Sequence, residues 1–471
     1  MRTQCSPEQV RLRPLGGRKV IADFAGGAVT SDAGVLLAAE VSQSLGLFER
    51  LADCFDDYRD PRFVKHPLSM LLAQRVLGIA CGYEDLVDHD FLRHDPMFAI
   101  AVGRTDLATT REAATASKPL LAGHATLNRI ETGAARGASR SDLKIVAKPE
   151  AIQQLFLEVF LDSYDQEPDE IILDLDATDD KVHGNQEGRF FHGYYGSYCY
   201  LPLYIFAGDH LLAAMLRPAN EDGAAGALEE VQRIIGFLRK HWKNTRFVVR
   251  ADSGFCRDAL LTWCEATEGV EYVIGLARNS RLQELIVDDL NDMEDEARAT
   301  GRAERRYVDL RYRTKKSWSC ERRVVAKAEC LVGKRNPRFV VTSLQADEVR
   351  PAVLYADIYC ARGEMENRIK EQQLGLHADR TSAHAMASNQ LRLWFASFAY
   401  VVLDAVRRIA LKGTALARAQ VWTIRERLLK VGAVVTVSVR RIRVAISSAY
   451  PTRELFVKAA RRLVAWEGTA V

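Results

Sequence analysis

The sequence predicts an α/β protein with a mixed-sheet core, a helical region ahead of it and a β-rich stretch inserted within it. Three observations lead there. Helical periodicity dominates up to about residue 165. From residue 171, short apolar runs of strand length alternate with helical stretches. Between about residues 300 and 345 the period returns to two, and helix then resumes.

The first region holds LLAAEVSQSLGLFERLADCF and PLSMLLAQRVLGIACGYEDLVDHDFL, the second opening at Pro67, a favourable first helical residue. A Gly- and Ala-rich connection leads to LNRIETGAARG, and ASRSDLK supplies turn and capping residues before the helix IVAKPEAIQQLFLEVFLDSY. EIILDLDAT reads as a central strand buried on both faces. YYGSYCYLPLYIFAGDHLLAAMLRPA reads as two strands joined at Gly208 and Asp209. Helix AAGALEEVQRIIGFLRKHW, strand TRFVVRADSGF, helix DALLTWCEATEG and strand EYVIGLAR follow. An antiparallel meander leading into βα units fits a layered fold of the ribonuclease H kind better than a doubly wound dinucleotide fold. RRYVDLRYRT, SWSCERRVVAKAECLV and RFVVTSL then alternate as strands, with turn chemistry at GKRNP. Helix returns near Tyr359 and continues through NQLRLWFASFAYVVLDAVRRIAL. The chain closes as helix, hairpin (AVVTVSVRRIRVAIS) and a helix after Pro451.

A chain of 471 residues has room for two or three domains and a substantial core. Its net charge of +3 excludes a uniformly basic DNA-coating protein, so any nucleic-acid surface depends on local clustering. RKHWKNTR, RRYVDLRYRTKK and VRRIRV are such clusters, although a solvated face is the simpler reading of each alone. The nine cysteines are scattered and form no CxxC, which argues against structural zinc and a disulfide framework. The N-terminal stretch lacks the apolar segment of a signal peptide, and the longest apolar run is interrupted by Arg392 and Asp404. A reducing, cytoplasmic location is expected.

Strand alternation in IILDLDAT sets Asp174 and Asp176 on one face and Ile171, Leu173 and Leu175 on the other. Burying a carboxylate there is costly without a compensating partner. Strand-end capping is the simpler reading of a lone DxD. Asp176 lies nearer the carboxyl end of the strand, where open α/β sheets place ligands. VVRADSGF repeats the pattern by delivering Asp252 to a strand end, where helix capping is the competing role. The two strands are neighbours in the expected sheet, so the two Asp residues converge. The stretch YCARGEMENRIKE carries Arg362, Glu366, Lys370 and Gln373 on one helical stripe and Met365, Ile369, Gln372 and Leu376 on the next. Docking the second stripe on the sheet turns Glu366 toward the two Asp residues. Surface ion pairing of Glu366 with Arg362 or Lys370 is the alternative. Three carboxylates without Cys or His make a hard oxygen site suited to two Mg²⁺ ions, with Mn²⁺ able to substitute. That points to phosphodiester chemistry, with Arg362 and Lys370 flanking to bind phosphate.

These residues resemble a bacterial insertion-sequence transposase of the DDE type, in the branch with Tyr, two residues, Arg, three residues and Glu, here Tyr359, Arg362 and Glu366. QRVLGIACGYEDLVDHDFLRHDPMF, LDLDATDD with HGNQEG, VVRADSGF and CARGEMENRIKEQQLGLHADRTS resemble more closely the insertion-sequence family numbered thirteen-eighty, over about residues 20 to 460. The resemblance implies a ribonuclease H-like core with Asp176, Asp252 and Glu366 as metal-binding catalytic residues. The ligand assignment between Asp174 and Asp176 stays open, with Asp176 preferred. The family pattern places Lys where this chain has Gln373, and Lys370 is the substitute phosphate contact. Trp318, the one Trp of the β-rich stretch, is a candidate for stacking on an extruded base, with strand packing the competing role.

The expected layout is a helical N-terminal region (1–165) for DNA-end recognition, a catalytic core (166–280 and 350–412), a β-rich insertion (281–349) and a C-terminal helix-hairpin-helix (413–471). HATLNRIETGAARGASR, with Arg129, Arg136 and Arg140, is the candidate DNA-end surface. The expected partners are double-stranded DNA, as terminal inverted repeats and target, and a second copy of the chain. A catalytically lapsed DNA-binding protein and a nuclease without strand transfer are the competing readings.

Overall fold

Alternating Val, Ile and Leu residues build a nine-stranded mixed sheet at the centre of the larger of two units. The computed structural model describes residues 9–109, 119–132 and 144–466. The strands are β1 (Glu170–Ala177), β2 (Leu203–Ala207), β3 (His210–Met215), β4 (Arg246–Ala251), β5 (Val270–Leu276), β6 (Glu304–Tyr312), β7 (Arg322–Leu331), β8 (Lys334–Arg335) and β9 (Arg338–Thr342). They lie in the order β3-β2-β1-β4-β5-β9-β7-β6, with β8 paired to β7. β4 runs parallel to both β1 and β5, and the other pairings are antiparallel. The β2–β3 turn falls at Gly208 and Asp209, with Gly208 at φ +58°, a backbone region that favours glycine.

The two faces of the sheet explain the residue pattern. Ile171, Leu173 and Leu175 join Phe247, Val249, Tyr272 and Ile274 beneath helices α1 (Ala227–His241) and α2 (Asp258–Ala266). On the opposite face Val248, Val273, Val325 and Val340 pack against Leu354 and Tyr355. Each such fully buried side chain contributes roughly 1.5–3 kcal/mol. Asp174 and Asp176 share this second face, so the helical segment after residue 350 covers them.

The β-rich stretch extends the central sheet through the antiparallel β5–β9 pairing, in which Val273 meets Thr342 and Leu276 meets Phe339. It also contains α3 (Val287–Thr300), whose Leu290, Met293 and Ala297 enter the main core. The acidic face of α3 pairs with the strand beside it, as Arg306 meets Asp289 and Asp292.

The smaller unit takes in the described parts of residues 1–132, 140–146 and 398–468. Helices Val35–Ser44, Leu47–Asp53 and Leu68–Ala80 match the helical reading of this region. Strand Val29–Thr30 pairs with Ala433–Ser438, and that strand pairs in turn with Arg441–Ile446. The two ends of the chain thus share one sheet. Buried Asp32 fastens them by accepting from Tyr83 Oη (2.8 Å) and pairing with Lys430 Nζ (2.8 Å). Gly34 admits no side chain, since a Cβ would stand 1.6 Å from the Leu428 carbonyl oxygen. Among the described residues no helix is long and apolar enough to cross a membrane.

Leu175 is fully buried, whereas Leu12 on the N-terminal hairpin is 57 % exposed. Leu175→Ala is expected to cost roughly 2–5 kcal/mol in chemical denaturation. Leu12→Ala should stay within about 0.5 kcal/mol of the parent.

Candidate active site

Parallel pairing of β1 and β4 brings their carboxyl ends together, with Leu175 opposite Ala251. Asp176 follows Leu175 and Asp252 follows Ala251, so the two carboxylates emerge side by side. Asp252 also caps the turn Ser253–Phe255, where its Oδ1 accepts from Gly254 N at 2.8 Å. Capping therefore orients the carboxylate toward the site rather than competing with that position.

The covering segment is a continuous run of helical turns, Pro351–Val353, Leu354–Tyr359, Cys360–Arg362, α4 (Gly363–Lys370) and Glu371–Gly375. Two of these pieces are wide π turns, which redirect side chains around the helix and recur at functional sites. Met365, Ile369, Gln372 and Leu376 are buried, as the stripe pattern requires. Glu366, on the neighbouring stripe, faces the strand ends. Arg362 joins the two sides, its Nη1 donating to Asp176 Oδ2 (3.2 Å) and its Nη2 to Glu366 Oε1 (3.4 Å). The surface pairing of Glu366 with Arg362 and the convergence of Glu366 on Asp176 thus occur together.

The electrostatics match this geometry. Burial pushes the Asp176 carboxyl up to about 6; Arg362 opposes the shift, while Asp252 and Glu366 add to it. Asp176 therefore feels both other carboxylates. Burial also raises the Arg362 environment's cost, yet its charge is held by Asp176, Tyr359, Asp252 and Glu366, which keep it firmly protonated.

Asp174 has a different role. Its two oxygens receive Arg250 Nε (2.5 Å) and Nη2 (2.7 Å), and Arg250 Nη1 donates to the Ile358 carbonyl (2.5 Å). Both side chains are at most 7 % exposed. The pair ties β1 and β4 to the helical segment one turn before Arg362. Sequence reasoning missed Arg250, although a cation inside the apolar run FVVRA was a signal for it.

Tyr359 is half-buried, with its hydroxyl close to Gly275 on β5 and to the Asp252 turn. Burial pushes its hydroxyl up, Arg362 lowers it and Asp252 raises it again. A Cβ at Gly275 would lie 2.6 Å from that hydroxyl and 2.8 Å from Ser253 N, so the strand needs glycine here. Gly275 was also missed, though a glycine within EYVIGLAR marks such close approach.

The remaining candidates lie elsewhere or carry different contacts. Lys370 is exposed on α4, one turn beyond Glu366. Gln373 donates to the Asp179 carbonyl at 2.9 Å, so it fastens the segment after Asp176. Trp318 lies apart from these residues. It is 5 % exposed, packs edge-on against Tyr312 at 5.8 Å and lies beneath the Arg322 guanidinium at 5.3 Å. Arg322 is itself held by Asp258 and Glu265. Its ring is thus enclosed by packing in this conformation. Arg129 is exposed beside Tyr58, Arg59, Lys65, His66 and Lys144 in the smaller unit, and Arg136 and Arg140 lie outside the described residues. The eight described cysteines are free thiols. Among the described residues no group of His, Cys, Asp or Glu already stands in a metal-holding arrangement, consistent with Arg362 lying between two of the carboxylates.

The family model described as transposase DDE domain group 1 matches residues 12–467. The chain belongs to the DDE transposase family. No curated protein matches it significantly. Among solved structures, the transposase chain resembles that of a piggyBac transposase synaptic complex with hairpin DNA, at 8 % identity and a TM-score of 0.41, covering 85 % of this chain and 80 % of that one. Within this transposase the described residues bring together Asp176, Asp252, Tyr359, Arg362 and Glu366, and set Trp318 apart in the core.

Two expectations follow. Arg250→Ala leaves Asp174 buried without its partner and is expected to cost roughly 3–5 kcal/mol in denaturation, whereas the paired change Asp174→Leu with Arg250→Met recovers most of that loss. The second concerns Asp176, whose folded value of about 6 lies above its ordinary 3.8. Below about pH 4 both folded and unfolded states hold the proton and burial costs nothing; as pH rises through about 6 the folded state must release it, and the penalty becomes complete. Asp176→Asn is therefore expected to raise the unfolding midpoint at pH 8, with the gain vanishing near pH 4 in thermal scans across pH.

Proposed function

We propose that the protein is the transposase of a bacterial insertion sequence of the thirteen-eighty family, cutting at the terminal inverted repeats and joining the freed ends to target DNA. The observation that carries this reading is the meeting of Asp176, Asp252 and Glu366 from two strand ends and one helix, at a carboxyl group whose affinity for protons the other two raise. The strand order β3-β2-β1-β4-β5 with β1, β4 and β5 parallel supports a ribonuclease H-like core. In this reading residues 166–280 and 350–412 form the core, 281–349 the insertion, 413–471 the C-terminal region, and 1–165 the part that recognises DNA ends.

Asp176, Asp252 and Glu366 fit a divalent cation by chemistry, since they offer only hard carboxylate oxygens and crowd negative charge around one buried group. Two Mg²⁺ ions, or Mn²⁺ in their place, would supply activation of the attacking oxygen and stabilisation of the leaving one. Arg362 then holds a phosphate of the cut strand, being the buried cation already balanced against the same carboxylates. Tyr359 fixes the Asp252 turn from the side of Gly275. Asp174 and Arg250 keep the covering helix in register. Lys370 contacts the phosphate backbone from the exposed side. A dimer in the DNA complex follows from the need to join two ends, and the bacterial cytoplasm is the setting.

Gln373, engaged with the Asp179 carbonyl where the family pattern has Lys, favours as second reading a DNA-binding protein whose catalysis has lapsed. One experiment separates them. Purified protein is incubated with labelled DNA carrying the inverted repeats that flank its coding locus, in Mg²⁺, Mn²⁺ or EDTA, beside Asp252→Ala and Glu366→Ala. Cleavage at the repeat boundary, reduced in both variants to the EDTA level while DNA binding persists, is expected. Binding without cleavage in either metal would establish the lapsed reading, and cleavage without joined products would establish a nuclease.

A further inference from the structure

Directly after the Asp176 strand the chain builds a small sheet that presents aromatic rings outward. Its strands are Asp180–Lys181, Phe190–His192 and Ser197–Tyr200, with the last in the middle. Phe191 stands directly opposite Tyr198, and their rings meet edge to face at 5.6 Å. The Arg189 guanidinium lies over the Tyr198 ring at 4.5 Å. Tyr194 is 87 % exposed, Phe191 59 % and Tyr198 48 %. A soluble chain gains nothing in stability by holding so many rings in water, and contiguous exposed aromatic surface marks a contact site.

The stalk of this hairpin is firmly held. Glu187 N donates to the His384 carbonyl (2.9 Å), Gln186 Nε2 to the Thr381 carbonyl (3.1 Å) and Tyr200 Oη to the Glu187 carbonyl (2.6 Å). The inner side reaches the candidate site. Tyr195 and Ala177, the neighbour of Asp176, pack on the same small cluster of Cys199, Leu201 and Ala219, and the Tyr195 ring stands 4.9 Å from that of His192. Burial, then the charges of Asp179 and Asp176, push its hydroxyl up to about 12. The hairpin is thus rooted close to Asp176, and the exposed Tyr194 ring meets that of Tyr195 at 5.0 Å. Between Asp180 and Tyr200 the formal charges balance, Lys181 and Arg189 against Asp180 and Glu187, but within the outer loop Arg189–Tyr198 Arg189 is the one formally charged residue. Both carboxylates lie at the root: Asp180 is buried and accepts from Thr381 Oγ1 at 3.2 Å, and Glu187 accepts from Met386 N at 3.2 Å.

We propose that the Arg189–Tyr198 hairpin is a stacking platform for unpaired bases of the DNA strand whose phosphodiester is held at Asp176, with Phe191, Tyr194 and Tyr198 as the ring contacts. Aromatic faces accept any base, and an arginine stacked on one of the rings adds charge complementary to the adjoining phosphates. This inference rests on the transposase reading for the identity of the strand, but it concerns a surface outside the carboxylate site.

The test uses the full chain and two DNAs with the same inverted repeat, one fully paired and one with unpaired nucleotides at the cleavage boundary, each carrying 2-aminopurine there. The wild-type protein is expected to bind the unpaired form more tightly and to change 2-aminopurine emission. Phe191→Ala with Tyr198→Ala should weaken binding of the unpaired DNA by roughly 5- to 150-fold per ring removed and abolish the emission change, while paired DNA binds as before. Tyr198→Phe, which keeps the ring, should behave as wild type. Equal loss on both DNAs, or loss together with a lowered unfolding midpoint, would overturn the proposal. Unchanged DNA binding with a shift from dimer to monomer in sizing would also overturn it, by making the hairpin a protein interface. Wild-type cleavage of the paired DNA without preference for the unpaired form defeats this inference alone. Ring-dependent selectivity for unpaired DNA without any cleavage instead defeats the catalytic reading and leaves the platform standing.

Discussion

The ion pair of Asp174 and Arg250 is the constraint on which the candidate site depends. It lies between two parallel strands, has almost no access to water, and passes its remaining donor to the Ile358 carbonyl. A buried charge pair contributes little net stability against an apolar substitute, yet losing one partner is severe because the other charge is left stranded. Such a pair therefore enforces position. It sets the covering helix at one rotation and one height over the sheet, and from that height Arg362 and Glu366 reach Asp176.

Next to this balanced pair lies an unbalanced group. Asp176, Asp252 and Glu366 bring more negative charge than Arg362 offsets, and the result is a carboxyl group that holds its proton up to about pH 6. Burial of uncompensated charge opposes folding, and it persists in proteins where a ligand or a reaction uses it. Asp174 and Asp176, two residues apart on one face, thus differ: the first is neutralised by Arg250, the second only partly offset by Arg362. The glycine at 275 and the tyrosine at 359 complete the arrangement by closing the space behind Asp252.

The aromatic hairpin and the core tryptophan show how composition misleads about surface. Trp318 carried the right chemistry for stacking, but its connection between β6 and β7 lies against α2, and the ring is buried beside Tyr312 and under Arg322. In sequence Tyr194 and Tyr198 fell within a stretch read as strands, and these rings were not singled out. They turn outward because their three-stranded sheet is too small to cover both faces, while its inner face is filled by Cys199 and Leu201.

Much of the larger unit was legible in the sequence because its information is local. Period-two apolar runs gave β1, β4 and β5, turn residues gave the β2–β3 hairpin, and the two stripes of YCARGEMENRIKE gave the buried side of α4. Asp176 and Asp252 were visible as carboxylates near the ends of apolar strands, and Glu366 as a carboxylate on the stripe beside the apolar one. Tertiary structure alone decided which Asp pairs with Arg250, since the partner lies 76 residues away and only strand register brings it opposite. It also decided that Trp318 is enclosed, that the β-rich stretch extends the central sheet, and that Val29–Thr30 pairs with a strand some 400 residues later. The physical reason is the same in each case. Periodicity fixes which face of an element is apolar, whereas the partner of that face is selected by packing and hydrogen bonding across distances that the linear pattern does not encode.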